Sequence, residues 1–134
     1  MAESIAILFE SVGWDNLEKD LSKFSENVFG KNWVFPSNHS SQTLSLYEYD
    51  SWLNECEENE VSKIKELLGC LPKTTLCIEL RRSNQINACE DAKKVCSVLL
   101  NKHKGVVDDA LDRIWTKKEI ETDLKFLNEY RKNI

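Results

Sequence analysis

Apolar residues in this chain switch repeatedly between a spacing of two and a spacing of three and four, and that switching restricts the fold more than any single motif does. "SIAILFE" comes first: short, apolar and free of breakers, it predicts a strand over residues 4–10. Trp14, Leu17, Leu21, Phe24 and Val28 then recur at helical spacing among Asp15, Glu18, Lys19, Asp20 and Lys23, and Gly30 is placed to stop that helix. "KNWVFPSNHSSQ" carries Pro36 and a polar cluster, so it reads as a loop with a short extended piece at 32–35. "TLSLYEYD" alternates, Leu44 and Leu46 on one face and Ser45, Tyr47 and Tyr49 on the other, which predicts a half-buried second strand. Residues 50–69, "DSWLNECEENEVSKIKELLG", set Val61, Ile64, Leu67 and Leu68 on a helix that ends in glycine.

The alternation then repeats. "TTLCIELRR" after Pro72 turns Leu76, Ile78 and Leu80 inward as a third strand. Ile86, Cys89, Ala92, Cys96, Leu99 and His103 share one stripe of the next helix, with Gly105 as its stop. Val106 and Val107 open a fourth strand, and Thr116 with Glu119 has the spacing of a capping box for a last helix carrying Ile120, Leu124, Leu127 and Tyr130. Neither a repeat nor a linker divides the chain, so residues 1–134 read as one domain. The order predicts an α+β, ferredoxin-like fold: a four-stranded antiparallel sheet with helices on one face, an extra helix between strands two and three, and a C-terminal helix. The uncovered sheet face would carry Ala6, Leu8, Tyr47, Tyr49, Cys77, Glu79 and Arg81.

Composition removes several function classes. Hydrophobic residues at 41% with four glycines and two prolines exclude disorder and low complexity. Apolar runs are far shorter than the ~20 residues of a membrane span, and the start lacks the basic and long apolar regions of a secretory signal, so the expected location is the cytoplasm. The five cysteines are odd in number and form no CxxC or CxxH pair, which argues against zinc and against disulfides. Cys89 and Cys96 lie on the buried helix stripe; Cys77, facing away from Leu76 and Ile78, is the candidate for an accessible thiol. The net charge of −5 opposes binding to nucleic-acid phosphates and favours a basic partner.

Three constellations invite chemistry. Asp108, Asp109 and Asp112 offer the oxygen ligands that hard cations prefer, but 108 and 109 on a strand point to opposite faces and no glycine turn of a calcium loop accompanies them. Ser37, Ser40, Ser41 and His39 lack a nucleophile elbow or an orienting acid, so a solvated loop is expected there. Tyr47 and Tyr49 on an open sheet face have the placement of an RNA-stacking platform, without the basic residues such a platform needs. What recurs is a tryptophan beside carboxylates: Trp52 with Glu55, Glu57, Glu58 and Glu60, and Trp115 with the three aspartates. An aromatic anchor ringed by acids suits the docking of a basic protein.

The segment "GVVDDALDRIWTKKEIE", a strand, an acidic turn, an aromatic and a Thr/Lys/Glu helix start, resembles the immunity proteins of bacterial toxin systems, including those of contact-dependent growth inhibition. The resemblance implies stoichiometric inhibition of a cognate toxin domain, commonly a basic nuclease, with no catalytic activity, no cofactor and no metal. On that expectation Asp108, Asp109, Asp112, Trp115, Trp52, the four glutamates, Tyr47 and Tyr49 meet the partner. The alternatives are a small enzyme or ligand-binding domain using the open sheet face or the 37–43 loop, and a regulatory homo-oligomer paired through Tyr47 and Tyr49.

Overall fold

The computed structural model describes residues 3–22, 28–29, 32–35, 43–80, 85–111, 113–123 and 126–127. In chain order these form β1 (Glu3–Phe9), α1 (Trp14–Leu21), β2 (Val28–Phe29), β3 (Asn32–Phe35), β4 (Leu44–Glu48), α2 (Trp52–Glu55), α3 (Glu58–Leu68), β5 (Thr74–Leu80), α4 (Gln85–Lys102), β6 (Gly105–Asp108), β7 (Ile114–Trp115) and α5 (Lys117–Thr122). The strands make one open antiparallel sheet in the order β2-β3-β4-β5-β1-β6-β7. The α+β class expected from the alternation is the class observed.

β1 and β5 sit at the centre of the sheet, where Ile5, Ile7, Leu8 and Phe9 of the one and Leu76, Ile78 and Leu80 of the other are buried. β1 pairs along its whole length with β5, Glu3 opposite Leu80 through Phe9 opposite Thr74, and pairs on its other side with β6. Ile5, Ile7 and Phe9 of β1, Leu44 and Leu46 of β4, Leu76, Ile78 and Leu80 of β5 and Val107 of β6 point to one face. There they meet Leu17 and Leu21 of α1, Ala92, Cys96 and Leu99 of α4 and Ile120 of α5 in the main core. At ~25 cal/mol per Å² of apolar area removed from water, this cluster is the principal stabilising term of the fold.

Gly105 is needed where β6 meets β1. A Cβ there would lie 2.9 Å from the Leu8 carbonyl oxygen and 3.0 Å from Leu100 Cδ2, closer than packed atoms approach. Gly69 has a different duty. It closes α3 at φ 85, a left-handed conformation that glycine adopts without penalty, and its N–H bonds the Lys65 carbonyl at 2.8 Å. The α1 and α4 helices are tied together by Asp20, which accepts from Lys102 Nζ at 2.9 Å and lies 2.7 Å from His103 Nε2. Desolvation alone would raise the Asp20 pKa, but the bonds to His103 and Lys102 hold the carboxyl below its usual range.

Several features differ from the sequence expectation. The sheet has seven strands rather than four: the β2–β3 hairpin extends it beyond β4 and the two-residue β7 extends it beyond β6. Val28, read as the last apolar position of the first helix, instead pairs with Trp33, and α1 ends at Leu21; Phe24 lies outside the described residues. The helix expected over 50–69 is two helices, because Cys56 and Glu57 are both extended, with ψ 151 and 159. The last helix stops at Thr122, Leu127 sits at φ 62 and still buries its side chain, while Leu124 and Tyr130 lie outside the described residues.

The helices also lie on both faces of the sheet, not one. Leu8, Val106 and Ile114 project away from the main core and pack with Ile64 of α3, with Trp52, Leu53 and Leu67 against them. The second face therefore has its own small core under α2 and α3, and only its β4–β5 part is left half-exposed. Ala6 and Cys77 on this face are buried, so the expectation of an accessible Cys77 is corrected, and burial raises its thiol pKa. Arg81, Ser37, His39, Ser40 and Ser41 lie outside the described residues. Among the described residues no helix is long and apolar enough to cross a membrane, and all five cysteines are free.

Candidate functional site

The segment from Asp108 to Trp115 is built by its first two aspartates. Asp108 ends β6 facing α2 and α3: its Oδ1 accepts the Ala110 N–H at 2.9 Å and its Oδ2 accepts the Trp52 Nε1–H at 2.9 Å. Asp109 points the other way. Its Oδ1 accepts the Leu111 and Arg113 N–H groups at 2.9 and 3.2 Å, and its Oδ2 accepts the Trp115 Nε1–H at 2.9 Å. These bonds fold the chain back so that β7 can pair with β6, Ile114 opposite Asp108 and Trp115 opposite Val107. Ala110 is held at φ 63, a region that costs a residue with a Cβ about 1–2 kcal/mol.

The opening expectation for these residues is therefore corrected. Asp108 and Asp109 are 3% and 5% exposed and their carboxylates are occupied by internal donors, so they do not form an acidic surface. Trp115 is 3% exposed. It lies edge-on to Phe126 at 5.1 Å, with the Arg113 guanidinium carbon 3.6 Å from its ring centroid. A side chain enclosed in this way is a core residue rather than a docking anchor. Asp112 lies outside the described residues. Arg113 is itself held by Glu119 and Asp123, and bonding to Glu119 first raises its pKa and lowers that of Glu119.

The other half of the constellation is at the surface. Tyr47, Tyr49 and Trp52 form an edge-to-face run with centroids 6.4 Å apart at each step, all three half-buried. Tyr47 donates its hydroxyl to Glu79 at 2.6 Å and Tyr49 donates to Glu55 at 2.8 Å. Burial first, and then bonding to Cys77 and Glu79, pushes the Tyr47 pKa above its ordinary value; the bond to Glu55 does the same for Tyr49. Both phenols stay neutral donors. Glu55, which bonds Tyr49, is exposed, as are Glu57 and Glu58 at the start of α3, and Glu60 is half-buried.

Two of those glutamates also have a local duty. Glu60 accepts the Glu57 backbone N–H at 3.1 Å across the start of α3, one arm of a capping box. A glutamate at the Ncap position is what hid this from sequence, where Ser or Thr is the usual marker. At the other helix start the Thr116 pattern holds: Glu119 Oε1 accepts the Thr116 N–H at 3.0 Å.

Two concavities flank α3. A groove of about 790 Å3 between α3 and the β6–β7 turn is lined by Leu67, Leu111 and Ile114 with Glu57, Lys63 and Arg113 at its edges. A smaller cavity of about 200 Å3 lies between α2 and β6, lined by Trp52, Glu55, Cys56, Glu60, Asp108 and Ala110. Within it the Cys56 thiol is 3.6 Å from Asp108 Oδ2. Burial first, then the neighbouring Asp108, pushes the Cys56 pKa up to about 12, and burial likewise raises that of Asp108. Sequence reading treated Cys56 only as one of five cysteines, because nothing in local spacing links it to residue 108.

Two of the buried aspartates, Asp20 and Asp108, shift stability in opposite directions with pH. Folding raises the Asp108 pKa from its usual 3.8, so its favourable contribution is complete below that value and is lost as pH rises through the elevated folded value. Folding lowers the Asp20 pKa, so its contribution is present above 3.8 and is lost as pH falls through the depressed value. In metal-free buffer, Asp108→Asn should therefore gain stability relative to the parent between pH 4 and pH 7, read from urea midpoints at both pH values. A difference between the two proteins that does not change with pH would contradict the assignment. Asp20→Asn should show no such trend between pH 4 and pH 7, and should gain relative to the parent only as pH falls below 3.8.

No family model, curated protein or solved structure matches this chain significantly.

Proposed function

We propose that this chain is an immunity-type protein that neutralises a cognate toxin domain by binding it stoichiometrically in the cytoplasm, with no catalysis of its own. The observation that carries the reading is the half-exposed aromatic run Tyr47, Tyr49 and Trp52, with Glu55 bonded to Tyr49 and exposed Glu57 and Glu58 following it in the chain. Aromatics supply large contact area at low entropic cost, and carboxylates around them attract a basic partner and disfavour acidic ones. The net charge of −5 acts in the same direction. Five free cysteines suit a reducing compartment. The neighbour order β4-β5-β1-β6 supports reading the central four strands as a ferredoxin-like unit, extended at both edges.

The partner surface in this reading consists of Tyr47, Tyr49, Trp52, Glu55, Glu57 and Glu58. The test begins with the neighbouring gene. If it encodes a large secreted toxin, co-expression of this chain should restore growth to cells making the toxin domain. The double variant Glu55→Lys and Glu58→Lys should then slow association about tenfold at low salt and flatten its salt dependence, since steering charge acts over a Debye length of ~8 Å at physiological salt. Glu57 and Glu60 are left unchanged because they hold the α3 start. Absence of protection, or an unchanged association rate, would sink the proposal.

A further inference from the structure

We propose that Cys56, Glu60 and Asp108 form a binding site for one divalent transition cation of the zinc class. The three come from separate segments: the extended joint between α2 and α3, the first turn of α3, and the end of β6. One donor atom of each lies within 4.8 Å of the others. A tetrahedral zinc with bonds of ~2.3 Å to sulfur and ~2.1 Å to oxygen spans a sulfur–oxygen edge of about 3.6 Å. The Cys56 Sγ to Asp108 Oδ2 distance is 3.6 Å. The cavity of about 200 Å3 in front of the donors leaves room for water as a fourth ligand.

A second observation points to a cation independently of that spacing. Asp108 is 3% exposed, and the groups that bond it among the described residues are neutral: the Trp52 indole N–H, the Ala110 N–H and the Cys56 thiol. The charged neighbour that acts on it is Glu60, which raises its pKa further. A buried carboxylate is ordinarily matched by a cation or a metal, and here the remaining groups around it are acidic. The donor set also selects the ion. One sulfur with two carboxylate groups suits zinc or cobalt, whereas calcium and magnesium need an oxygen shell and reject sulfur. This set differs from Asp108, Asp109 and Asp112, since Asp109 faces the opposite side of the sheet.

Binding requires the thiolate, so the step is Cys56–SH plus M2+ giving the Cys56–S−–M2+ bond and one released proton. Apparent affinity should therefore rise up to about tenfold per pH unit through the neutral range. The site stands whether or not the partner reading does. The probe is Co2+ added to reduced, chelator-treated full-length protein. A thiolate-to-cobalt charge-transfer band should appear, saturate at one equivalent and vanish on addition of Zn2+. Cys56→Ser should abolish the band, Cys70→Ser should leave it intact, and Glu60→Gln, which keeps the acceptor at the α3 start, should weaken binding at least tenfold. No band in the parent protein, or a band that survives Cys56→Ser in a folded variant, would overturn the proposal.

Discussion

Replacing Asp109 with alanine should cost about 3 kcal/mol, a large share of the 5–15 kcal/mol that holds a domain of this kind together. The reason is what the carboxylate leaves behind. Its removal strips the acceptor from the Trp115 indole N–H, which is buried, and from the Arg113 amide, while the Leu111 amide can turn to water. Each unsatisfied buried donor costs about 1–3 kcal/mol. At roughly 3–5 °C per kcal/mol for a chain of this length, the melting temperature should fall by roughly 10–15 °C. Urea titration should show the lower midpoint with the slope unchanged, which would place the effect on stability and not on the denatured state. A loss under about 1 kcal/mol would mean the turn is held by something other than Asp109.

Trp115→Ala should have the larger effect, about 3–5 kcal/mol. It empties a site between the sheet and Phe126 and takes the indole N–H donor from the buried Asp109 carboxylate. Because the two residues share one hydrogen bond, the double variant should lose less than the sum of the single losses. Trp115→Phe separates the contributions, since it keeps most of the ring packing and removes the N–H. Thermal melts of the four proteins test this. Simple additivity would show that the bond across the turn contributes nothing. Trp115→Ala thus reports on the stability of the fold, whereas Trp52, half-exposed, belongs to the proposed partner surface.

The difference between those two tryptophans was invisible in the sequence, where each stands beside several acids. "DDALDRIW" and "DSWLNECEENE" have the same local character, and local character does not say which side of a sheet a residue occupies. Asp108 and Asp109 illustrate the reason. Their opposite orientations follow from strand geometry and were readable, but their burial depends on α3 lying across Leu8 and Val106 and on Trp115 closing over Val107. The contacts of Ile64 with Leu8 and Val106 join residues more than forty positions apart. The β7 strand is two residues long and has no period of its own, and the first helix was overextended because Val28 continued its spacing by coincidence while pairing with Trp33.

What the sequence by itself determined is what depends on short-range physics. A short apolar run became β1, period-two segments became β4 and β5, period-3.6 segments became α3 and α4, Gly69 took its left-handed cap, and the Thr116 and Glu119 pattern became a capping box. Each follows from backbone geometry and side-chain alternation within a few residues. Only the tertiary structure decided that a second face is covered by α2 and α3, that two of three candidate aspartates are internal, and that Cys56, Glu60 and Asp108 meet. These are consequences of which apolar surfaces bury one another, a competition settled over the whole chain that no local window contains.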